Sequence, residues 1–395
     1  MADLPPTSLP QADWTTREDL ARLVDALGPG NLRWVGGAVR DTLLGLEVAD
    51  VDAATPLLPD AVTRKVEAAG VRVIPTGIDH GTVTAVLPGG NVEITTLRKD
   101  VATDGRRATI AFAQDWREDA ARRDFSINAL YADPQSLEIT DYFGGLADLA
   151  DRRVRFIGSA RERIAEDHLR ILRYYRFQAR FGSALEDEAE EACAELAPTL
   201  KGLSRERVAG ELLGLLALHD PQETVERMFA RGVLAIVLPE CNAQGLNRLS
   251  ALIAHERGEG VAPDALRRMA ALLPADPRQA EQVAARLRLS TKARKRLVTA
   301  ASRKPEEHID ARALAYLIGR TEALDRLLLA GCSAQPLDNW EIPRLPLKGG
   351  EIVAKGVDAG PKVAKILQAI EAKWIAEGFP GREKVLELLQ DEIDR

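Results

Sequence analysis

Few residues of this 395-residue chain are aromatic, and fewer still are cysteine. Phe, Trp and Tyr make up 5% of the chain, whereas apolar residues together reach 46%. This composition suits helical cores built from Leu, Ala and Val rather than a β-sandwich. The 3 cysteines, Cys193, Cys241 and Cys332, are far apart and form no CxxC pair. We therefore expect neither a disulfide framework nor a zinc site, and a reducing cytoplasm fits this cysteine usage.

The sequence also lacks patterns typical of targeting, of membrane spans and of several enzyme classes. The N-terminal segment "MADLPPTSLPQADW" has neither the basic region nor the apolar core of a signal peptide. No apolar run approaches the ~18 residues that cross a bilayer. The 5 histidines do not cluster, which argues against a metal-dependent phosphohydrolase, and the Walker P-loop and GxSxG patterns are missing. These absences predict a cytoplasmic protein without membrane contact.

Positive charge does not dominate the chain, whose formal net charge is −7. This balance argues mildly against a general polyanion binder. The placement of charge matters more than its sum, because a basic groove can lie on an acidic body. At this length we expect about two to four packed units.

Strand patterns are confined to the first part of the chain. A helix is expected over residues 17–27, and from about residue 157 apolar positions recur at helical spacing, as in "AEDHLRILRYYRFQARFG" (165–182). Pro336, Pro343 and Pro346 suggest a joint before the last helices. The sequence therefore predicts a mixed head of about 150 residues followed by helices only. The expected strands are "LRWVGG" (32–37), "VRVIP" (71–75), "GTVTAVLP" (81–88), "VEITTLR" (92–98) and a further one within "SLEITDYFGG" (136–145).

The stretch "WVGGAVRDTLLGLEVADVDAAT" (34–55) combines a paired glycine, an arginine and two aspartates. On a strand, Asp50 and Asp52 point to the same face, and two such carboxylates suit a Mg²⁺ ion that also binds substrate phosphates. Gly36 and Gly37 allow the backbone to approach a phosphate closely, and Arg40 follows in the first turn of a helix. A simple turn followed by two solvated acids is the alternative interpretation.

Two further segments carry candidate residues. Glu93 is an acidic residue on a predicted strand, where it either completes the metal site or is merely exposed. In "RRDFSINAL" (122–130), which leads into a helix-like apolar run, Asp124 suits an N-cap. The functional interpretation assigns a phosphate to Arg123, and a ribose hydroxyl to Asp124 or Asn128.

The stretch "EDHLRILRYYRF" (166–177) predicts a helix with one face formed by Asp167, Arg170, Arg173 or Tyr174, and Phe177. Arg170, Arg173 and Arg176 follow one another at steps of three and wind slowly around that face. A salt-bridged surface helix is one interpretation. In the other, the donor-only arginine and the acceptor-only carboxylate match the edge shared by cytosine and adenine. Uracil and guanine would leave buried charges unpaired, so this pair of side chains could select C and A without a template.

A basic stretch, "RLRLSTKARKRL" (286–297), stands out from the acidic chain. Such stretches are usually solvated, but this one is also a candidate site for a nucleic-acid backbone, whose binding would depend on salt.

Taken together, these segments resemble the class II tRNA nucleotidyltransferases, the CCA-adding enzymes, whose head is shared with bacterial poly(A) polymerases. The resemblance runs in order over residues 34–215 and is weak in the later helices. The motifs that carry it are "VGGAVRD" with "DVD", "VEITTLR", "DGRR" (104–107), "RRDFSINA", "DYFGGLADL", "EDHLRILRYYRF" and "SRERVAGELL".

The resemblance implies an α+β fold with a polymerase-β-like nucleotidyltransferase head and a small mixed β-sheet, followed by an all-α neck, body and tail. We assign these parts to residues 1–150, 151–235, 236–335 and 336–395, and expect the tail to contact tRNA. The implied reaction adds C, C and A to tRNA 3′ ends from CTP and ATP, with Asp50 and Asp52 holding Mg²⁺. Gly37, Arg40 and Arg123 would bind the triphosphate or sugar. The base would be read by Asp167 and Arg170, with Arg173 and Arg176 adjacent.

Three alternatives remain open within and beyond this family. A poly(A) polymerase typically carries a "GRRFR"-like element, whereas "VRVIPTGIDHGTVTAVL" (71–87) resembles the CCA-adding type. A partial enzyme would add only CC or only A, but "DGRR", which resembles a loop required for the C-to-A switch, favours the full activity. A catalytically inactive RNA-binding or scaffolding protein is disfavoured by intact Asp50, Asp52 and Arg170. The sequence does not indicate an oligomeric state.

Overall fold

A computed structural model of the protein describes residues 7–103, 108–181, 186–303 and 310–394. The chain forms two compact units, Met1–Pro239 and Glu240–Arg395. The "DGRR" segment (104–107) lies outside the described residues. None of the helices in the described part of the chain has the length and apolar character needed to cross a bilayer.

The first unit contains a seven-stranded mixed sheet in the order β3-β4-β5-β2-β1-β8-β9, and a separate ribbon of β6 and β7. Strands β2 and β5 pair in parallel, while the other neighbours are antiparallel. The predicted small mixed sheet is therefore confirmed. The strands are β1 (Arg33–Val35), β2 (Val51–Thr55), β3 (Arg72–Gly77), β4 (Thr82–Val86), β5 (Val92–Thr96), β6 (Arg98–Thr103), β7 (Ala108–Phe112), β8 (Leu130–Ala132) and β9 (Ile139–Asp141).

Helices pack around this sheet and continue beyond it to the end of the first unit. Helix α2 contacts β1, β2 and β8, so its N-terminal turn lies beside the central strands. The helices are α1 (Glu18–Leu27), α2 (Gly37–Leu43), α3 (Pro59–Ala68), α4 (Trp116–Ala121), α5 (Gly145–Ala150), α6 (Ala160–Glu166), α7 (Arg170–Phe181), α8 (Asp187–Leu196), α9 (Arg205–Leu216), α10 (Gln222–Ala230) and α11 (Val233–Val237).

The continuous helix predicted over residues 165–182 is wrong, because the chain breaks between α6 and α7. Asp167 has extended backbone angles, φ −144° and ψ 104°. Its Oδ1 accepts a hydrogen bond from the backbone N–H of Leu169 at 3.1 Å. An aspartate that bonds the backbone two residues ahead competes with the helical pattern. Asp167 therefore lies on extended backbone, off the helix face shared by Arg173 and Phe177.

The helix-like run predicted after Asp124 is also wrong. Ser126–Asn128 forms a single 3₁₀ turn, and the chain then enters β8. The side chains of this segment bond to their surroundings: Ser126 Oγ donates to Asp148 Oδ2, and Asp124 Oδ1 accepts from the N–H of Phe125. These bonds stabilise a turn in place of a helix.

The described residues of the second unit form helices and connecting segments, without a β-strand. One apolar cluster forms around Trp374 in the last three helices, and a second forms around Leu327. The helices are α12 (Ala243–Gly258), α13 (Ala265–Leu272), α14 (Pro277–Arg286), α15 (Thr291–Ala301), α16 (Ala311–Ile318), α17 (Arg320–Leu329), α18 (Gly349–Ala354), α19 (Pro361–Ala376) and α20 (Arg382–Ile393). The finer division into head, neck, body and tail stays a prediction.

Candidate active site

A cleft of about 550 Å³ lies in the first unit between the sheet and α7. It brings together most of the residues that the sequence singled out, but Glu93, Asp167 and Arg170 are not in its lining. The lining residues are Gly36, Gly37, Arg40, Asp41, Glu47, Val48, Ala49, Asp50, Asp52, Arg123, Asp124, Asn128, Arg173, Arg176, Phe177 and Arg180.

Gly36 ends the connection from β1 and places the start of α2 close to charged side chains. Its φ of 72° is strained for any residue with a Cβ. A Cβ added there would lie 3.7 Å from Nη1 of Arg123 and 4.0 Å from Oδ2 of Asp52. The glycine therefore keeps the backbone within reach of both a cation and a carboxylate, as a phosphate-and-metal site requires.

The acidic residues occupy neighbouring strands but differ in exposure. Asp52 lies within β2, is half-buried, and pairs in register with Glu93 on β5. Asp50 is exposed and lies directly before β2, so the expectation that both aspartates sit on a strand holds only for Asp52. Burial and the negative charges of Glu93 and Asp50 raise the pKa of Asp52, although Arg123 opposes them.

The carboxylate oxygens of Asp50 and Asp52 are available as ligands. Neither carboxylate accepts a hydrogen bond from, or forms an ion pair with, any residue that the structure describes. A cation stabilises two clustered carboxylates, of which Asp52 has a raised pKa, and hard oxygen donors suit a divalent ion that keeps waters and substrate phosphates as its other ligands. No group of three or more His, Cys, Asp or Glu converges on one point within the described chain. The donor set thus fits a metal held by two carboxylates and a substrate.

Arg123 is fixed from behind by two residues that the sequence did not single out. Its Nη2 donates to Asp119 at 3.1 Å, and its Nε donates to the hydroxyl of Tyr131 at 3.1 Å. Burial raises the pKa of Asp119, but Arg123 and Arg122 lower it to about 2. The carboxylate therefore stays ionised and orients the guanidinium. The sequence did contain a signal for these ion pairs, because Arg122 and Arg123 follow Asp119 by three and four residues, the spacings of pairs on one helix face.

Asp124 and Asn128 connect the 3₁₀ turn to both α2 and α7. Asn128 donates to Asp124 Oδ1 at 3.0 Å and accepts from Arg40 Nη1 at 2.5 Å. Arg173 donates to Asp124 Oδ2, with the Nη2 distance at 2.6 Å. Burial raises the pKa of Asp124, but Arg173 and the hydrogen bond from Asn128 lower it to about 2. Asp124 is thus an ionised support for Arg173 rather than a free ligand.

Helix α7 presents one face to the cleft. Arg173, Arg176, Phe177 and Arg180 line it at spacings of three, four and seven residues. Their partners come from distant elements: Arg176 donates to Glu211 of α9 at 2.6 Å, and Arg180 donates to Asp41 of α2 at 2.9 Å. Such pairs, separated by 35 and 139 residues, cannot be read from local spacing.

Asp167 and Arg170, the two residues expected to read the base, bond to neighbouring protein groups outside the cleft lining. Asp167 accepts from Arg207 of α9 at 2.7 Å, not from Arg170. Arg170 bonds Glu166 at 2.7 Å and the carbonyl oxygen of Arg122 at 2.8 Å. A salt-bridged surface helix would pair Asp167 with Arg170, and this ion pair is not formed, although both residues lie at the junction of α6 and α7.

Three arginines of the basic stretch (286–297) are neutralised by carboxylates. Arg286, Arg294 and Arg296 pair with Glu240, Glu281 and Asp325, respectively. Lys292 and Lys295 are exposed on α15, and neither forms an ion pair with a described residue. Within this stretch they are the best candidates for contact with a nucleic-acid backbone.

Two segments of the chain match known families. Residues 32–155 match the family described as "Poly A polymerase head domain", and residues 183–244 match "Probable RNA and SrmB- binding site of polymerase A". The mitochondrial CCA tRNA nucleotidyltransferase 1 of Mus musculus is 35% identical over 386 residues, spanning 92% of this chain and 87% of that protein.

Solved structures show the same fold. The CCA-adding enzyme of Bacillus stearothermophilus in complex with CTP has a TM-score of 0.75 and 28% identity, covering 96% of this chain and 98% of that one. The Thermotoga maritima CCA-adding enzyme complexed with tRNA has a TM-score of 0.68 and 20% identity, covering 95% and 99%. The second likeness is one of fold alone.

Proposed function

Because this chain belongs to the CCA tRNA nucleotidyltransferase family, we propose that it adds C, C and A to the 3′ end of tRNA from CTP and ATP. The tRNA 3′-hydroxyl attacks the α-phosphorus of the nucleotide, and pyrophosphate leaves. The observation that carries this proposal is the cleft itself, which joins Gly36, Asp52 and Arg123 on the sheet side to Arg173 and Arg176 on α7.

Asp50 and Asp52 are the proposed ligands of Mg²⁺. When bound, this cation supplies Lewis-acid stabilisation of phosphoryl charge and lowers the pKa of the attacking hydroxyl. The support in this chain is the raised pKa of Asp52 and the free carboxylate oxygens beside Gly36. The role of Glu93 is to set the charge on Asp52 from the adjacent strand, because it lies outside the cleft lining.

The protein's own groups bind and orient the nucleotide. Arg123 is held rigidly by Asp119 and Tyr131, so it offers a preorganised cation to the triphosphate near Gly36. Arg40 is buried, and its donors reach Asp41 and Asn128, which makes it a positioning residue for the 3₁₀ turn. Phosphate binding by Gly36, Gly37 and Arg123 completes the proposed site. A sugar contact through Asp124 or Asn128 would require one of their present bonds, to Arg173 or Arg40, to be exchanged.

We propose that Asp167 and Arg170 select the base. Their present partners, Arg207 and Glu166, must be exchanged for the base edge, so selection is coupled to rearrangement at the α6–α7 junction. Arg170→Ala is expected to admit UTP and GTP, because a donor that discriminates among the base edges is lost. Unchanged selectivity among the four nucleotides in that variant would contradict the assignment.

Incubation with tRNA lacking its 3′ CCA, using each labelled nucleotide alone and in pairs, tests the reaction. Addition limited to C, C and then A supports the proposal. Repeated addition of A to unrelated RNA supports a poly(A) polymerase, a candidate kept because residues 32–155 match a family described by that name. Arrest after CC, or addition of A only to tRNA ending in CC, identifies a partial enzyme.

The proposed location is the cytoplasm, which suits three separated free cysteines. The curated relatives from Mus musculus and Homo sapiens carry the word mitochondrial in their names. Fractionation of cells that express the tagged protein decides between these compartments.

A further inference from the structure

Arg180 stands out among the arginines of α7 because its carboxylate partner is shared with a buried arginine. Asp41 bonds Arg180 through Oδ2 at 2.9 Å and Arg40 through Oδ1 at 2.8 Å. One carboxylate thus faces two guanidinium groups. Asp41 and Arg40 are 11% and 5% exposed, whereas the Arg180 side chain is 32% exposed, so Arg180 is the member that solutes reach.

The other arginines on this wall of the cleft are balanced. Arg173 pairs with Asp124 at 2.6 Å, and Arg176 pairs with Glu211 at 2.6 Å. Two cations there meet two carboxylates. The uncompensated positive charge along α7 therefore falls at the Arg40–Arg180 pair, at the end of the helix nearest α2.

Arg180 also has donors and space available. Within the described part of the chain, its only hydrogen bond is the one from Nη2 to Asp41. Its side chain borders both the large cleft and a smaller cavity of about 120 Å³ lined by Leu44, Leu46 and Phe181. A guanidinium with free donors suits two oxygens of one phosphate group.

We infer that Arg180 is a phosphate-binding residue of the cleft, which exchanges Asp41 for a phosphate group when substrate enters. This inference rests on the proposed function for the source of the phosphate, which is the nucleotide triphosphate or a phosphodiester of the tRNA 3′ strand. Asp41 then remains with Arg40, so no buried charge is left unpaired during the exchange.

Equilibrium binding to the full-length protein tests the inference without relying on turnover. Kd is measured separately for CTP and for tRNA lacking its 3′ CCA, with Arg180→Gln, Arg180→Lys and wild type. Arg180→Gln is expected to raise the Kd of one of these two ligands about tenfold, because a charge-assisted, partly exposed contact is lost. Arg180→Lys is expected to be intermediate, because it keeps the charge and loses the fork.

The ligand that weakens identifies the source. A rise in Kd for CTP, with competition by inorganic triphosphate weakened in parallel, assigns the triphosphate. A rise in Kd for tRNA alone assigns the RNA backbone. Arg161→Gln is the matched control, because Arg161 also pairs with one carboxylate, that of Glu195, but lies on α6, outside the cleft lining. Its binding of both ligands is expected to equal that of wild type.

Asp41→Asn separates phosphate binding from a structural tie between α2 and α7. Both Asp41→Asn and Arg180→Gln break the ion pair, but only Arg180→Gln removes the exposed cation. Unchanged Kd values for both ligands in Arg180→Gln, or an equal rise in Asp41→Asn, would overturn the inference. A wild-type protein that binds CTP but adds no nucleotide to tRNA would instead overturn the proposed function.

Discussion

Asp52 on β2 lies directly opposite Glu93 on β5, because the two strands pair in parallel with these residues in register. The two carboxylates differ in their surroundings: Asp52 is half-buried and lines the cleft, whereas Glu93 is exposed. Glu93 thereby acts on Asp52 through charge and makes its ionisation harder.

Glu93→Gln is expected to move the acid limb of the pH–activity profile to lower pH. Activity that requires ionised Asp52 declines as pH falls through the pKa of that group, and removing the negative charge of Glu93 lowers this pKa. The expected displacement is about 0.5 pH unit, because an exposed carboxylate is screened by water. The measurement is kcat/KM for CTP from pH 5 to 8. Glu67→Gln on α3 is the control, and a limb that stays in place would contradict the coupling.

Asp52→Asn is expected to abolish nucleotide addition while raising the melting temperature at pH 7. A buried carboxylate whose folded-state pKa is raised destabilises the fold once it ionises, so its neutral replacement removes that cost. An increase of about 1–4 °C is expected for a unit of this size. Scanning fluorimetry measures the melting temperature, and incorporation of labelled CTP into tRNA measures nucleotide addition.

Mg²⁺ supplies a second readout for the same variant. The cation is expected to raise the melting temperature of wild type, because it binds only the folded protein, and to leave Asp52→Asn unchanged. Retained nucleotide addition in folded Asp52→Asn, or an undiminished response to Mg²⁺, would contradict the metal assignment.

Arg173→Met is expected to destabilise the first unit by about 3 kcal/mol, because it leaves the buried Asp124 carboxylate without its cation. Asp124 has a folded-state pKa of about 2. In wild type its ionisation therefore stabilises the fold above the ordinary aspartate pKa, and this contribution disappears as pH falls from about 4 towards 2. Removing Arg173 is expected to shift the acid-unfolding midpoint to higher pH. Circular dichroism during acid titration measures the shift, with Arg161→Met as the exposed-pair control. Identical midpoints would count against the role of this ion pair.

Lys292→Ala combined with Lys295→Ala is expected to weaken tRNA binding about five- to tenfold and to reduce the slope of log K against log salt by about 1 to 2. Both lysines are exposed on α15. The matched substitution is Arg296→Ala in the same helix. The Arg296 side chain forms an ion pair with the buried Asp325 at 2.6 Å. That variant is expected to lose about 2–3 kcal/mol of stability instead. Unchanged salt dependence in the lysine variant would remove this stretch from the tRNA-binding surface.

The small mixed sheet, the later helices and ten lining residues of the cleft followed from local patterns. Strand alternation predicted that Glu93 lies on a strand, and the glycines after a strand predicted the start of α2. The carboxylate partners that orient the arginines of α7 could not be predicted from local patterns. Glu211 and Asp41 reach α7 only after the chain has folded, and no spacing rule connects residues so far apart in sequence.

The two errors of local structure have one physical origin. Asp167 and Asp124 each use a carboxylate oxygen to bond a nearby backbone N–H, at 3.1 Å and 2.8 Å. Apolar periodicity continues through both segments, so the periodicity predicts a helix in each. In each segment a side-chain hydrogen bond to the backbone favours the non-helical conformation. The free energies of the two conformations are too similar for a periodicity pattern to tell which is lower.

Under the proposed base selection, the break between α6 and α7 would make the choice of base depend on backbone torsion angles. Arg170 is the first residue of α7, whereas Asp167 lies three residues earlier, on the extended backbone that ends α6. Rotation about the backbone angles of Asp167 would therefore reorient its carboxylate relative to α7. Under the proposed base selection, substitutions at positions 167 and 168 of this short connection are expected to alter nucleotide preference, whereas Leu169 is buried and belongs to the packed core.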